Sequence, residues 1–69
     1  MKKTMDCFKM IQNGNVVDEF VLCTDSNNHA VISNKGGILF DGYYLEAVEK
    51  WAEIRSDMAM CAMLGVELV

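Results

Sequence analysis

Apolar and polar residues alternate along this chain with two different periods, and the change of period falls near residue 43. Before it, short runs rich in Phe, Ile, Val and Met are punctuated by Asn, Gly, Asp and Ser. After it, apolar residues recur every three or four positions. The first pattern is that of strands and turns, the second that of an amphipathic helix.

The strongest local signal is TMDCFKMIQNGNVVDEFVLC, residues 4–23. Two apolar runs flank Asn13-Gly14, the dipeptide that best supplies the positive φ values of a tight hairpin turn. A two-residue loop places Ile11 opposite Val16, Lys9 opposite Asp18 and Cys7 opposite Phe20. A three-residue loop including Asn15 places Phe8 opposite Phe20 and Lys9 opposite Glu19. Both registers give Lys9 an acidic partner, so charge does not choose between them.

A second hairpin is expected at residues 29–41. Asp25 to Asn28 form a polar turn, His29 to Ser33 a short strand, Asn34-Lys35-Gly36-Gly37 another turn, and Ile38 to Asp41 a fourth strand. One irregular loop carrying the single strand Ile38-Leu39-Phe40 is the competing reading, because each of these strands is short.

From about residue 43 to 64 the spacing predicts a helix. Ala47, Val48, Trp51, Ile54, Met58, Cys61 and Ala62 fall on one side, and Glu46, Glu49, Lys50, Glu53 and Asp57 on the other. Asp41 or Gly42 would begin it and Gly65 would end it, leaving the tail 65–69. Met58 to Leu64 is apolar on every side of the axis, so one sheet face cannot cover it. A second copy of the chain, another protein, or Val66-Glu67-Leu68-Val69 folding back as a strand would have to cover the rest. The fold class is therefore α+β: an antiparallel sheet of three to four short strands, in two hairpins, packed against one long C-terminal helix.

Composition sharpens this picture. With 69 residues the chain holds one domain with a thin folding margin, and 52% apolar residues set it apart from disordered chains. Ten acidic residues against six basic ones give a net charge of −4. That balance disfavours unspecific binding to phosphate backbones or anionic lipid. No stretch approaches the roughly 18 apolar residues of a membrane span, and Lys2-Lys3 is not followed by the apolar core of a signal peptide. Cys7, Cys23 and Cys61 are odd in number, widely spaced and free of CxxC, as expected of reduced thiols in the cytoplasm.

Chemistry is sparse. His29 is the single histidine, and with Cys7, Cys23 and Asp25 it lacks the close paired spacing of structural zinc. Gly36-Gly37 matches neither phosphate-binding glycine pattern. Asp18 and Glu19 point to opposite faces of their strand and form no acid/base dyad. No catalytic residue, metal or cofactor is expected, and the chain reads as a binding protein and not an enzyme.

Two surfaces are candidates for that binding. Methionine is flexible and polarisable, suited to lining contacts as well as filling gaps. Trp51, Met58, Met60, Met63 and Leu64 are thus the candidate contact of a homodimer formed through the helix, Trp51 being also a natural core residue. Glu46, Glu49, Glu53 and Asp57, at i, i+3, i+7 and i+11, form an acidic strip suited to a basic groove of another protein. Phe8 and Met10 against Cys7 and Ile11 also leave both faces of the first hairpin partly apolar. The expected function is that of a small stoichiometric inhibitor or regulator of another macromolecule. In general character, with no motif behind the likeness, the chain resembles the inhibitors that phages and mobile elements direct at host machinery, anti-CRISPR proteins among them. The alternative is a small regulatory subunit that contacts nucleic acid through Lys2, Lys3 and Lys35.

Overall fold

The computed structural model describes residues 3–25, 28–61 and 66–69. Strands β1 (Lys3–Gln12) and β2 (Asn15–Thr24) form the first hairpin. Its turn has Asn13 at φ 54° and Gly14 at φ 79°, the left-handed pair that a two-residue turn between twisted strands requires.

The pairing combines both registers legible in the sequence. Next to the turn, Gln12 faces Asn15 and Ile11 faces Val16; beyond an irregularity at Val17, Met10 faces Asp18, Lys9 faces Glu19 and Phe8 faces Phe20. The extra residue has a large consequence. Side chains alternate between faces, so a one-residue shift reverses which side of the sheet a residue meets. Without the bulge Phe20 would lie opposite Cys7 and on the other face from Phe8. With it the two rings stack, centroids 4.8 Å apart and planes 13° from parallel. A second irregularity at Met5 sets Thr4 against Cys23 and Asp6 against Leu22.

Strands β3 (His29–Asn34) and β4 (Gly37–Tyr43) make the second hairpin, with β3 antiparallel to β2. Asp18 holds its turn from across the sheet: its carboxylate accepts from Asn34 Nδ2 and from the Lys35 amide, each at 3.2 Å. Lys35 Nζ donates to the carbonyl of Val16 at 3.2 Å, tying the two turns together.

Helix α1 (Tyr44–Cys61) follows β4 without a linker. Asp41 and Gly42, expected to cap the helix, lie instead within β4, opposite Val31 and Ala30. The first helical amide is satisfied from elsewhere, Tyr44 N donating to the carbonyl of Asn28 at 2.7 Å. Such an N–H has no partner within its own helix, so a backbone acceptor from the neighbouring loop can replace a side-chain cap. Gly65, the expected helix end, lies outside the described residues.

The tail supplies a fifth strand, one more than the three or four expected. β5 (Glu67–Leu68) runs antiparallel to β1, with Leu68 facing Met10 and Glu67 facing Ile11. Lys9 and Val69 exchange N–H···O bonds of 2.9 Å in both directions. The sheet order is β4-β3-β2-β1-β5. Because every adjacent pair is antiparallel, β4 and β5 at the two edges run parallel, and α1 is the crossover between them. Eighteen helical residues reach about 27 Å, enough to cross five strands spaced at about 4.8 Å.

That diagonal places the core. Phe8, Phe20, Leu22, Ala30 and Ile32 from the sheet are buried with Ala47 and Trp51 from the helix, and Met10, Phe40, Tyr44, Ile54, Met58 and Leu68 pack around them. Ala47, Trp51, Ile54 and Met58 repeat at spacings of four, three and four, which keeps them on one helical stripe. Gly42 matters here because a Cβ at this position would come within 3.0 Å of the Phe40 ring. No helix among the described residues is long and apolar enough to cross a membrane.

Candidate functional site

Trp51 sets the orientation of every surface on α1. Its ring meets Phe8 edge-on at 5.2 Å and its Nε1 donates to Asp6 Oδ2 at 3.0 Å. Arg55 Nη1 donates to the same oxygen at 2.9 Å, with its guanidinium 5.1 Å from the centroid of Phe8. Asp6 Oδ1 accepts the Cys7 amide at 2.9 Å. These donors, the indole foremost, hold the Asp6 carboxyl below its ordinary value against a smaller upward push from burial. Asp6 reaches the helix because it stands two residues before Phe8 in continuous register and so shares the face that α1 covers.

This arrangement gives Trp51 the core role that the sequence also allowed it. Its exposure is 6%, and its ring and N–H are both engaged within the chain. Met58 is half-buried against the same core. Met60 stands out at 67% exposure, while Met63 and Leu64 lie outside the described residues. Of the described members of the contact read from the sequence, one is core, one packs at its margin and one is exposed.

The acidic strip is gathered. With Ala47, Trp51, Ile54 and Met58 against the sheet, Glu46, Glu49, Glu53 and Asp57 occupy the opposite side of α1 and all four are exposed. Lys50 approaches Glu53 at 3.8 Å and is the cation that shares this strip. From Glu46 to Asp57 the helix rises about 16 Å, so four carboxylates line a ridge three turns long.

Among the described residues, Lys3 and Lys35 form no matching cluster. Lys3 lies at the end of β1 that meets Thr24, whereas Lys35 sits in the β3–β4 turn at the other end of the sheet. Ten-residue strands separate those ends by about 30 Å. Lys2 lies outside the described residues.

His29 is held between two carboxylates, Nδ1 lying 3.7 Å from Asp25 and Nε2 contacting Asp41. With Thr24, which donates to the carbonyls of Asp25 and His29, it organises the β2–β3 connection. No group of three His, Cys, Asp or Glu side chains among the described residues is placed to hold a metal ion. An open groove of about 390 Å³ lies where β4 passes into α1, lined by Asn28, Tyr43, Tyr44 and Leu45. Its lining is apolar apart from an amide and two phenols.

One surface becomes definable only with the register in hand. Cys7, Val21, Ser33 and Ile38 form one row across the face that α1 does not cover, and Thr4, Cys23, Val31 and Asp41 form the next. Cys7 and Ile38 are exposed, and Val21, Cys23 and Val31 are half-buried. The partly apolar character of both hairpin faces was a signal of this surface, but its membership depends on the bulges. Compared with known proteins, the chain matches no family model, no curated protein and no solved structure.

Proposed function

We propose that this chain is a non-catalytic protein-binding module that acts by stoichiometric occupation of another macromolecule, as an inhibitor or regulator. The observation that carries this reading is the exposed ridge of Glu46, Glu49, Glu53 and Asp57, backed by a helix whose other side is fixed to the sheet. A rigid row of like charges recognises a basic groove, speeding encounter and fixing register. Its partner is a protein with a basic surface, including one that otherwise receives nucleic-acid phosphates. Reduced Cys7 and Cys23 fit a cytoplasmic setting. Direct contact with nucleic acid is the weaker reading, since Lys3 and Lys35 stand at opposite ends of the sheet.

The test is affinity capture followed by native mass spectrometry, with the wild type and with Glu49→Lys/Glu53→Lys. The reading expects a partner captured in fixed stoichiometry by the wild type, released by added salt, and not captured by the variant. Capture of the same partner by both proteins would contradict it.

A further inference from the structure

We infer, building on the protein-binding reading above, that the element bound is a basic amphipathic helix of the partner, laid along α1 with an apolar residue of its end in the groove beside Tyr43. The acidic ridge is one of two lanes on the outer side of α1. Leu45, Val48, Ala52 and Ala59 follow one another at spacings of three, four and seven, which is one helical stripe, and all four are exposed, Leu45 at 77% and Val48 at 40%. Arg55 lies on the same stripe with its guanidinium turned to Asp6 and Phe8. Leu45 stands one turn before Glu49, so the apolar lane and the ridge run side by side. Spacing alone set Val48 with the core; the sheet buries Ala47 and Trp51 and leaves Val48 outside.

The apolar lane opens into the groove of about 390 Å³ at the β4–α1 junction, because Leu45 belongs to both. Asn28, Tyr43 and Tyr44 line the rest of it. The bond from the Tyr44 amide to the Asn28 carbonyl fixes this wall to the β2–β3 connection, and Tyr43 leaves 72% of its surface in solvent. Two phenol rings and a leucine offer apolar faces with polar edges, a lining that suits one aliphatic or aromatic anchor.

Charge complementarity selects the occupant. Glu46, Glu49, Glu53 and Asp57 call for cations on the element that lies over them, and the lane beside them calls for apolar residues on that same element. A helix with Lys or Arg on one stripe and Leu or Ile on the next meets both at once. An extended segment sends alternate side chains to opposite sides and covers one lane only. A second copy brings no such element, since α1 is the only helix among the described residues and holds four acids against two bases. Nucleic acid and anionic lipid are repelled by the ridge.

Fluorescence anisotropy of two labelled peptides tests this. One is a designed peptide as long as α1 with lysines on one helical stripe and leucines on the next; the other has the same composition, scrambled so that the stripes are lost. The striped peptide is expected to bind at least about tenfold more tightly than the scrambled one, and more weakly as salt is added. Leu45→Gln/Val48→Gln changes no charge and should weaken that binding at least about tenfold with the circular dichroism unchanged. If the double variant fails to fold, Leu45→Gln alone is expected to act in the same direction. Equal binding of the two peptides, binding of neither, or wild-type affinity in the Gln variants would overturn the inference. The ridge is read separately: Glu49→Lys/Glu53→Lys should weaken both peptides, and partner capture lost in that variant but kept in Leu45→Gln/Val48→Gln would leave the protein-binding reading standing without the apolar lane. A wild type that is dimeric by light scattering and dissociates in Leu45→Gln/Val48→Gln would assign the lane to a second copy, and would overturn the inference as well.

Discussion

Val31 and Ile32 are adjacent in β3, and they inhabit different environments. Ile32 has no exposed surface, enclosed among Leu22, Phe20, Ala47 and Trp51 in the buried cluster, while Val31 is half-buried between Cys23 and Asp41 on the open side. Both sides of the sheet carry β-branched and sulfur-containing residues. The difference lies in what faces them: the stripe Ala47, Trp51, Ile54, Met58 seals one side, and no described element lies over the other. A strand residue's type therefore tells less about its burial than the element above it does.

Trp51→Ala should break the sealed side most severely. Removing a buried indole costs about 3–5 kcal/mol, which is most of the stability of a small domain, and leaves Asp6 without its main donor. Far-UV circular dichroism should show a chain largely unfolded at room temperature. A cooperative transition close to that of the wild type would show that α1 does not seal the sheet.

Deletion of Val17 comes next. The side chain itself is exposed, and Val17→Ala should shift the denaturation midpoint little. Removing the residue outright should move either Phe8 or Phe20 to the open side and cost about 3 kcal/mol, as loss of a core phenylalanine does. Equal effects of substitution and deletion in urea denaturation would contradict the bulge as the device that unites the two rings.

Asp6→Asn should cost about 1 kcal/mol at neutral pH, since it weakens charge-assisted hydrogen bonds in a half-exposed site. It should also alter the response to acid. The carboxyl is held below its ordinary value of 3.8 in the folded chain, so its contribution is complete above that value and is lost as pH falls through the lower folded one. The wild type should lose stability in that acid window more steeply than Asp6→Asn. Parallel pH profiles would remove Asp6 from the account.

The sequence carried the α+β class, the Asn13-Gly14 turn, the second hairpin and the helical stripe, because each rests on local chemistry. It did not carry the bulges at Met5 and Val17 in the first hairpin or at Leu39 in the second, because an extra residue is set by which side chains the core accepts and leaves no local signal. For that reason the register stayed divided between two readings that each describe half of the hairpin. The helix start was displaced because β4 extends through Asp41 and Gly42 by pairing with β3, an energy no cap signal reveals. The tail Val66-Glu67-Leu68-Val69 folding back as a strand was one of three covers the sequence allowed, and pairing of Glu67 and Leu68 with β1 realises it. Among the candidate surfaces, the acidic ridge was fully legible from helical spacing. Trp51 was open to reading as core or as contact because an apolar stripe looks the same whether a sheet or a second chain covers it; here the sheet covers it.

The most direct test of the two-faced sheet is chemical denaturation of Ile32→Ala and Val31→Ala, compared at a dilution where the mass is that of one chain. The account predicts a loss of about 2–5 kcal/mol for Ile32→Ala and less than about 1 kcal/mol for Val31→Ala. Losses of similar size at the two positions would mean that the face opposite α1 is already sealed within a single chain, and would contradict the two-faced sheet.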